Sequence, residues 1–325
     1  MRAIQATEYG GPEVLRLVET DAPEPGPGEV AIDVAYAGVN FAEIKARRSG
    51  YRASSLPLRP GLEVAGRVRA LGAGVTEPAI GQEVAAFTTQ GGYAEVALAP
   101  AATVFPIPAG LALRTAATLP TVLPTAHALV HEMGRLRAGE SVLVRGAAGG
   151  VGTVVGQLAK RVGKGAVYGV LSSAAKADFA LEHGYDQVFV GDDWARQLAD
   201  VTGRRGVDLL LDPIGGEQLR RSLDSLAPFG RAVSFGNSSD EAPWQFGAAE
   251  LGPGARSVAF FSILTLAETA PDALRALSER AFRLVADGEV ELPVTAELPL
   301  AEAAEAHRLI ESRTTTGKLL LRVQG

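Results

Sequence analysis

The chain has 325 residues, of which 47% are hydrophobic and 21% charged, so it is too long for one small core and too apolar to be disordered. Its 31 lysines and arginines against 37 aspartates and glutamates give a net charge of −6, which argues against general nucleic-acid binding because neutralising phosphates needs clustered positive charge. The sequence has no cysteine, which excludes disulfides, thiolate zinc sites and thiol nucleophiles, so redox chemistry here requires a cofactor.

Nothing at the start of the sequence resembles a targeting segment. Residues 1–8 lack the apolar run of a signal peptide, so we expect the mature protein to begin here and to stay in the cytoplasm. The uncharged span 96–113 contains Pro100, Pro106 and Pro108, which indicates bends between short strands rather than a bilayer helix. We therefore expect no association with a membrane.

Short strands separated by turns are predicted over residues 1–121. Alternating or apolar runs bounded by turn residues predict these strands at residues 14–18, 29–36, 63–68, 83–87 and 93–97. A segment rich in proline and glycine, residues 23–28, separates the first two. Their regular spacing predicts a compact, mostly antiparallel, barrel-like domain.

From residue 122 the pattern changes to alternating strands and helices. A helix is predicted at 125–133, and the elements that follow are strands at 141–145, 166–171, 187–190, 207–211, 231–235 and 257–263 and helices at 151–162, 176–182, 194–202 and 217–226. This alternation predicts an α/β fold with a doubly wound parallel sheet over residues 122–266. We expect residues 267–325 to fold back onto the first domain, with helices at 272–287 and 301–313 and strands near Val294 and at 317–323.

The strongest local signal is a glycine-rich turn between the strand at 141–145 and the helix that follows. Gly146, Gly149 and Gly152 do not match G-x-G-x-x-G strictly, but the strand–turn–helix setting is that of a dinucleotide fingerprint. A helix N-terminus there would present free N–H groups to a pyrophosphate. We predict that the cofactor binds at Ala148, Gly149, Gly150, Val151 and Gly152. A tight turn in a protein that binds no nucleotide is the alternative.

The next predicted strand ends at Ser172 and Ser173, with Lys176 just beyond. Sites for NAD usually place Asp or Glu here to hold the ribose hydroxyls. Hydroxyl groups and a cation instead suit a 2′-phosphate, which a carboxylate would repel. The sequence therefore predicts NADPH rather than NADH. The alternative is that Ser172 caps the following helix and Lys176 is a solvated surface residue, and capping is compatible with phosphate binding.

Several short motifs occur in a specific order along the whole chain. They are AGVNF at 37–41 with Glu43, Arg47 and Tyr51, PGLEVAG at 60–66, AAGGVG at 147–152, VSFGNS at 233–238, and Ala306-His307 with Gly317-Lys318. Together they resemble the zinc-free quinone oxidoreductase (zeta-crystallin-like) branch of the medium-chain dehydrogenase/reductase superfamily. The resemblance implies a GroES-like β-rich catalytic domain completed by the C-terminal segment, an inserted Rossmann domain, and reduction in the cleft between them.

The residues at two motif positions indicate whether this chain can bind zinc as its zinc-dependent relatives do. Zinc-dependent relatives carry a cysteine and a Gly-His-Glu in these motifs, whereas this chain has Asn40 and Leu62 at those positions. Neither side chain can serve as that ligand, so we expect no metal. His127 and His131 are spaced to share one helix face, but no third ligand is near them in sequence.

Without a metal or a thiol, hydride transfer favours an acceptor that is already electrophilic, such as a quinone or an α,β-unsaturated carbonyl. The resemblance implies that Asn40 is a neutral donor near the nicotinamide and that Tyr51 lies at the cleft as a proton donor. Asn40 could instead be a turn residue, and Tyr51 a wall of the substrate site. His127 stands where relatives often have Tyr or Trp beside the cofactor.

Further cofactor contacts are predicted near strand ends. Phe235, Gly236 and Asn237 follow a predicted strand at the edge where open α/β sheets bind ligands. We assign Phe261 to the same site, and Lys318 to the cofactor phosphates, with a surface lysine as the alternative. The apolar strand at 257–263 suggests an uncovered sheet edge that could pair in a homodimer, unless a helix covers it.

The sequence thus predicts a NADPH-dependent reductase of a small quinone or enone. A trans-acting enoyl-thioester reductase, acting on an acyl-CoA or acyl carrier, is the nearest alternative, because a single sequence does not identify the acceptor. A crystallin-like protein that binds NADPH with little catalysis is the alternative from another class.

Overall fold

The computed structural model describes residues 1–53, 55–242 and 244–324. The chain divides into two units, the first made of Met1–Pro124 and Ile263–Gly325 and the second of Thr125–Ser262. Among the described helices, none combines the length and the apolarity needed to cross a bilayer.

The strands, in chain order, are β1 (Arg2–Gln5), β2 (Arg16–Glu19), β3 (Glu29–Val39), β4 (Glu63–Leu71), β5 (Glu83–Phe87), β6 (Val96–Pro100), β7 (Val104–Pro106), β8 (Val142–Arg145), β9 (Val167–Leu171), β10 (Gln187–Val190), β11 (Val207–Asp212), β12 (Leu226–Ser234), β13 (Ser257–Phe260), β14 (Val294–Pro299) and β15 (Lys318–Arg322).

The α-helices are α1 (Phe41–Ser49), α2 (Leu113–Ala116), α3 (Leu119–His127), α4 (Gly150–Val162), α5 (Ala177–Glu182), α6 (Trp194–Val201), α7 (Gly216–Ser222), α8 (Ala248–Leu251), α9 (Ile263–Thr269), α10 (Pro271–Ala286) and α11 (Ala303–Glu311). The remaining helical segments are the π-helix Ala128–Met133 and the 3₁₀ turns Pro12–Val14, Ala101–Thr103, Ala174–Lys176, Leu223–Ser225 and Leu300–Glu302.

The first unit is organised around a seven-stranded sheet. Its strand order is β14-β15-β3-β4-β5-β7, and β6 pairs with β3. Every pair is antiparallel except β14 with β15. Val30, Ile32 and Val34 of β3 are fully buried in the core that the sheet encloses. Strand β15 pairs with β3, so β14 and β15 belong to the same sheet as β3, whereas β1 and β2 pair in a separate two-stranded sheet.

The second unit is a six-stranded sheet in the order β10-β9-β8-β11-β12-β13, with all neighbours parallel. Counted from β8, this order is 3-2-1-4-5-6, which is the doubly wound arrangement of dinucleotide-binding domains. All four residues of β8 are buried, as expected for a parallel strand with helices on both faces. The α/β fold class is therefore confirmed.

Several predicted boundaries differ from the observed ones. The predicted helix at 125–133 is the end of α3 followed by the π-helix, and Pro124 inside α3 lacks the N–H that a regular helix would donate. Residues 93–95 bond mainly to β1, because the Tyr93 carbonyl accepts from the Ile4 amide and the Glu95 amide donates to the Arg2 carbonyl. The Glu95 carbonyl accepts from the Val34 amide of β3, and the regular β3–β6 pairing follows from Val96.

Two predicted elements of the second unit are too long. The helix predicted at 217–226 ends at Ser222, and Leu226 already pairs with Val207 in the sheet. The strand predicted at 257–263 ends at Phe260. Strand β13 is an edge of the sheet, and the homodimer expected from it remains a prediction.

Candidate functional site

The glycine-rich turn connects β8 to α4 in a conformation that favours glycine. Gly146 has a φ of +69°, in the left-handed region that glycine favours. A Cβ on Gly152 would overlap the Gly146 carbonyl and lie 2.6 Å from the Ala147 oxygen, so the absence of a side chain allows α4 to approach the turn. Gly149 is exposed and Val151 half-buried, which leaves the first amides of α4 accessible to an anion.

Lys176 lies after β9, in the 3₁₀ turn Ala174–Lys176, and is only 9% exposed. Among the described residues, no carboxylate pairs with its ammonium group. Burial lowers the pKa of Lys176 because desolvation disfavours the charged form. The alternative of a solvated surface lysine is therefore wrong. A buried cation without a counter-ion is a good partner for an anionic ligand.

The two serines differ in their positions. The Ser173 hydroxyl accepts a hydrogen bond from the Ala175 amide at 3.3 Å, so Ser173 is the capping residue of the turn that carries Lys176. Ser172 is exposed, and the cap predicted at Ser172 belongs to its neighbour. Phosphate contacts by Ser172, Ser173 and Lys176 remain a prediction.

The other predicted cofactor residues of this unit lie at the same edge of the sheet. Phe235, Gly236 and Asn237 follow β12, and the Phe235 amide donates to the Asp212 carbonyl at 2.9 Å. The Asn237 amide group donates to the Glu241 carbonyl at 2.8 Å, so this side chain stabilises its own turn. Phe261 follows β13 and donates its amide to Ser234. Because the strands are parallel, all these residues and the glycine-rich turn lie at the carboxyl edge.

A buried ion pair at this edge was not predicted from the sequence. Arg145, at the end of β8, lies 3.1 Å from Asp212, at the end of β11. Asp212 also accepts hydrogen bonds from the amides of Ile214 and Gly215 at 2.8 and 2.7 Å. Burial raises the pKa of Asp212, and the Arg145 charge opposes the rise. The pair joins the two central strands where the strand order reverses, and it fixes the loop after β11.

In the first unit, Asn40, Glu43, Glu63 and Lys318 form what we term the buried polar cluster. The Lys318 ammonium lies 2.5 Å from both Glu63 Oε1 and Asn40 Oδ1, and 3.1 Å from the Val39 carbonyl. Lys318 is 3% exposed and Glu63 is fully buried. The alternative of a surface lysine is therefore wrong. All three ammonium donors have partners, so the predicted contact with a cofactor phosphate would require one of these bonds to break.

Local sequence explains how the cluster is assembled. Asn40 precedes α1 as its N-cap, and Glu43, three residues later, accepts the Asn40 amide at 3.1 Å, which is one half of a capping box. The Asn40 side-chain amide donates to Glu63 at 3.0 Å and more weakly to Glu43 at 3.4 Å. A Cβ on Gly38 would overlap the Glu63 carboxylate, so the glycine makes room for it.

Glu43 is 2% exposed and has an unusual proton affinity. Its Oε1 accepts the Leu62 amide at 3.0 Å and the Asn40 side chain at 3.4 Å. Burial raises the pKa of Glu43 to about 7, the charge of Lys318 and the backbone hydrogen bonds lower it, and the charge of Glu63 raises it. The carboxyl group therefore changes protonation near neutral pH.

A cavity of about 230 Å³ adjoins the cluster within the first unit. Its lining includes Glu43, Tyr51, Leu62, Phe87 and Leu264. Tyr51 is 38% exposed, and the Lys45 ammonium lies 4.9 Å from its ring centroid. An ion pair of 2.5 Å between Arg52 and Glu268, which also line the cavity, joins the segment after α1 to α9. The structure thus brings Tyr51 and Glu43 to one cavity.

The residues at the positions that carry zinc ligands in zinc-dependent relatives do not fit a metal. Asn40 bonds to Glu63 and Lys318, and Leu62 offers only its backbone amide to Glu43. His127 and His131 have ring centroids 4.5 Å apart, but across the described residues no group of three or more His, Cys, Asp or Glu side chains could hold a metal ion.

The sequence motifs contain Glu43 and Glu63, but they do not predict that both side chains are buried. The available signal was weak but physical, since Glu63 is the only charged residue in the run 62–66, which is otherwise apolar. A carboxylate in such a position requires a buried partner. The sequence does not show that this partner is Lys318, because the two residues lie near opposite ends of the chain.

Comparison with known proteins agrees with both units. A family model described as the alcohol dehydrogenase GroES-like domain matches residues 26–109, and one described as zinc-binding dehydrogenase matches residues 183–321. A quinone oxidoreductase of Pseudomonas aeruginosa is 33% identical over 98% of this chain and 99% of its own. One of Rattus norvegicus is 33% identical over 99% and 97%.

Among solved structures, the Escherichia coli quinone oxidoreductase complexed with NADPH has a TM-score of 0.91 and 31% identity, and the match covers 99% of this chain and 100% of that one. The fold and the site define a medium-chain dehydrogenase/reductase with a GroES-like and a Rossmann domain. Within that superfamily the chain belongs to the quinone oxidoreductase branch, an oxidoreductase family, as the sequence motifs predict.

Proposed function

We propose that this protein is a NADPH-dependent, zinc-independent reductase that transfers hydride to a quinone or an α,β-unsaturated carbonyl compound. The observation that carries the proposal is Lys176, a buried cation without a carboxylate partner among the described residues. It lies at the carboxyl edge of the sheet, where dinucleotides bind. The related Escherichia coli structure contains NADPH, which supports the same cofactor here.

The second unit would bind the cofactor through groups that are already oriented. The first amides of α4, at Gly150, Val151 and Gly152, would hold the pyrophosphate, and Lys176 with Ser172 or Ser173 would hold the 2′-phosphate. When bound, NADPH supplies the hydride. The Arg145–Asp212 pair keeps the neighbouring loop in place, so the residues at this edge need little rearrangement on binding.

The first unit would bind the acceptor in the cavity beside Tyr51. Reduction there needs an acceptor whose developing negative charge can be held by hydrogen bonds alone, because the positions that carry zinc ligands in other branches hold Asn40 and Leu62. Quinones and conjugated carbonyls meet this condition. The names of the relatives, quinone oxidoreductases from bacteria and rat, support this class of acceptor.

A panel of acceptors tests the proposal. Quinones, 2-alkenals and enoyl thioesters would be assayed with NADPH and with NADH by following the nicotinamide absorbance, before and after exhaustive chelation. We expect NADPH consumption with a quinone or an enone, and no loss of rate after chelation. Loss of activity on chelation would contradict the metal-free account, and a clear preference for thioesters would identify an enoyl-thioester reductase instead.

A further inference from the structure

The proposed reaction needs a proton as well as a hydride. NADPH gives one hydrogen with two electrons, and reduction of a conjugated C=C bond is complete only when the neighbouring carbon or oxygen accepts H⁺. Among the described residues that line the cavity, Glu43, Tyr51 and Glu268 have side chains that carry an ionisable proton on oxygen. Glu268 is paired with Arg52, which leaves Glu43 and Tyr51 as candidates. The structure distinguishes between them by burial and charge.

The buried polar cluster holds two carboxyl groups but one cation. Lys318 contacts Glu63 directly, and Glu63 also accepts the Asn40 side chain and the Thr121 amide, the latter at 2.8 Å. Among the described residues, Glu43 forms no ion pair with a lysine or arginine, and its partners are the neutral N–H groups of Asn40 and Leu62. A second buried charge of the same sign is costly, so Glu43 is the carboxyl group that keeps its proton.

We propose that Glu43 is the proton donor of this enzyme and that Tyr51 shapes the wall of the acceptor cavity. This inference rests on the proposed function. In the step, the C4 hydrogen of NADPH leaves with its electron pair to the β-carbon of the acceptor, and the O–H bond of Glu43 breaks as the α-carbon or carbonyl oxygen takes the proton. The products are NADP⁺, the saturated carbonyl and the Glu43 carboxylate, which regains H⁺ from water.

The environment of Glu43 predicts the pH dependence. The charged and titratable groups facing it are Lys318 on β15, Glu63 on β4 and Tyr93. Burial raises the pKa of Glu43 to about 7. The carboxyl group therefore carries its proton below that pH and has no proton to donate above it. The rate should therefore fall as pH rises through about 7. Glu63→Gln should move this fall to lower pH, because the Glu63 charge raises the Glu43 pKa.

The test compares Glu43→Gln with Tyr51→Phe in single-turnover reduction of an enone that the wild type accepts. We expect the rate of Glu43→Gln to be lower by roughly 10²–10⁴-fold. Its rate should no longer decrease as pH rises through about 7, and its affinity for NADPH should be unchanged. Tyr51→Phe should keep both the fall and most of the rate. Infrared spectroscopy should also show a carboxylic acid band in wild type at about pH 6 that disappears by about pH 8 and is missing from Glu43→Gln.

Three results would overturn the inference. Glu43→Gln could keep the rate and pH profile of the wild type, Tyr51→Phe rather than Glu43→Gln could lose the rate, or the wild type could lack the carboxylic acid band. If Glu43→Gln does not fold, the band and the shift in Glu63→Gln decide the question. A wild type that binds NADPH but reduces no acceptor in the panel refutes the proposed function, and with it the donor role, whereas turnover with an unaltered Glu43→Gln refutes only the donor role.

Discussion

Replacing Lys318 with methionine should lower the free energy of unfolding of the first unit by about 3–5 kcal/mol. The change removes the cation from Glu63, which is fully buried, and leaves Asn40 Oδ1 without its ammonium donor. An uncompensated carboxylate in the interior is costly because little water can reach it. Hydrogen exchange of the amides in β3 and β15, which pair beside the cluster, measures the loss within this sheet.

The matched control is Arg67→Met in the same sheet. Arg67 and Glu83 form an ion pair at 2.5 Å, but their side chains are 60% and 40% exposed. Solvent screens such a pair, so its loss should cost no more than about 1 kcal/mol. Equal effects of the two substitutions would show that Lys318 is not the counter-ion of a buried carboxylate and would contradict the description of the cluster.

Lys176→Ala should weaken NADPH binding by about 1.5–3 kcal/mol, the free energy of a charge-assisted contact, which is roughly tenfold or more in affinity. NADH lacks the 2′-phosphate, so its affinity should be unchanged and the preference between the two coenzymes should decrease. Titration of both coenzymes into wild type and variant measures the change. Lys176 is 9% exposed, and its side chain forms no ion pair with a described carboxylate, so the substitution breaks no visible ion pair.

Lys164→Ala is the control for this experiment, since Lys164 is an exposed lysine of the same unit. It changes the net charge equally, and we expect it to leave both affinities close to wild type. If Lys176→Ala keeps the full preference for NADPH, or if both lysine variants weaken NADPH equally, then Lys176 is not the 2′-phosphate contact.

The second unit was the easier one to predict from sequence. Its central strands β8, β9 and β11 are mostly buried and lie next to glycines, so a local pattern predicts the strand–turn–helix steps there. The turn at Gly146 carries its own conformational signal. The errors lie where a long-range partner decides the boundary. Leu226 continues a helical pattern locally, yet it belongs to β12 because it pairs with Val207 of β11.

In the candidate site, too, residues from one short segment were predictable and residues brought together from distant segments were not. Residues of the glycine-rich turn were predictable because one short segment supplies them all. The buried polar cluster was not, because Asn40 and Lys318 are 278 positions apart and no local pattern pairs them. The raised pKa of Glu43 follows from burial next to Glu63, which is a property of the folded sheet. A motif can therefore indicate that Glu43 matters without indicating that it carries a proton.

Calorimetric titration of the wild type with NADPH and with NADH measures whether the chain binds the phosphorylated coenzyme at Lys176. We expect saturable binding of NADPH by each chain and binding of NADH that is weaker by roughly tenfold or more, because only NADPH offers a 2′-phosphate to Lys176. No heat with NADPH under conditions where the protein is folded, or equal affinity for both coenzymes, would contradict this expectation.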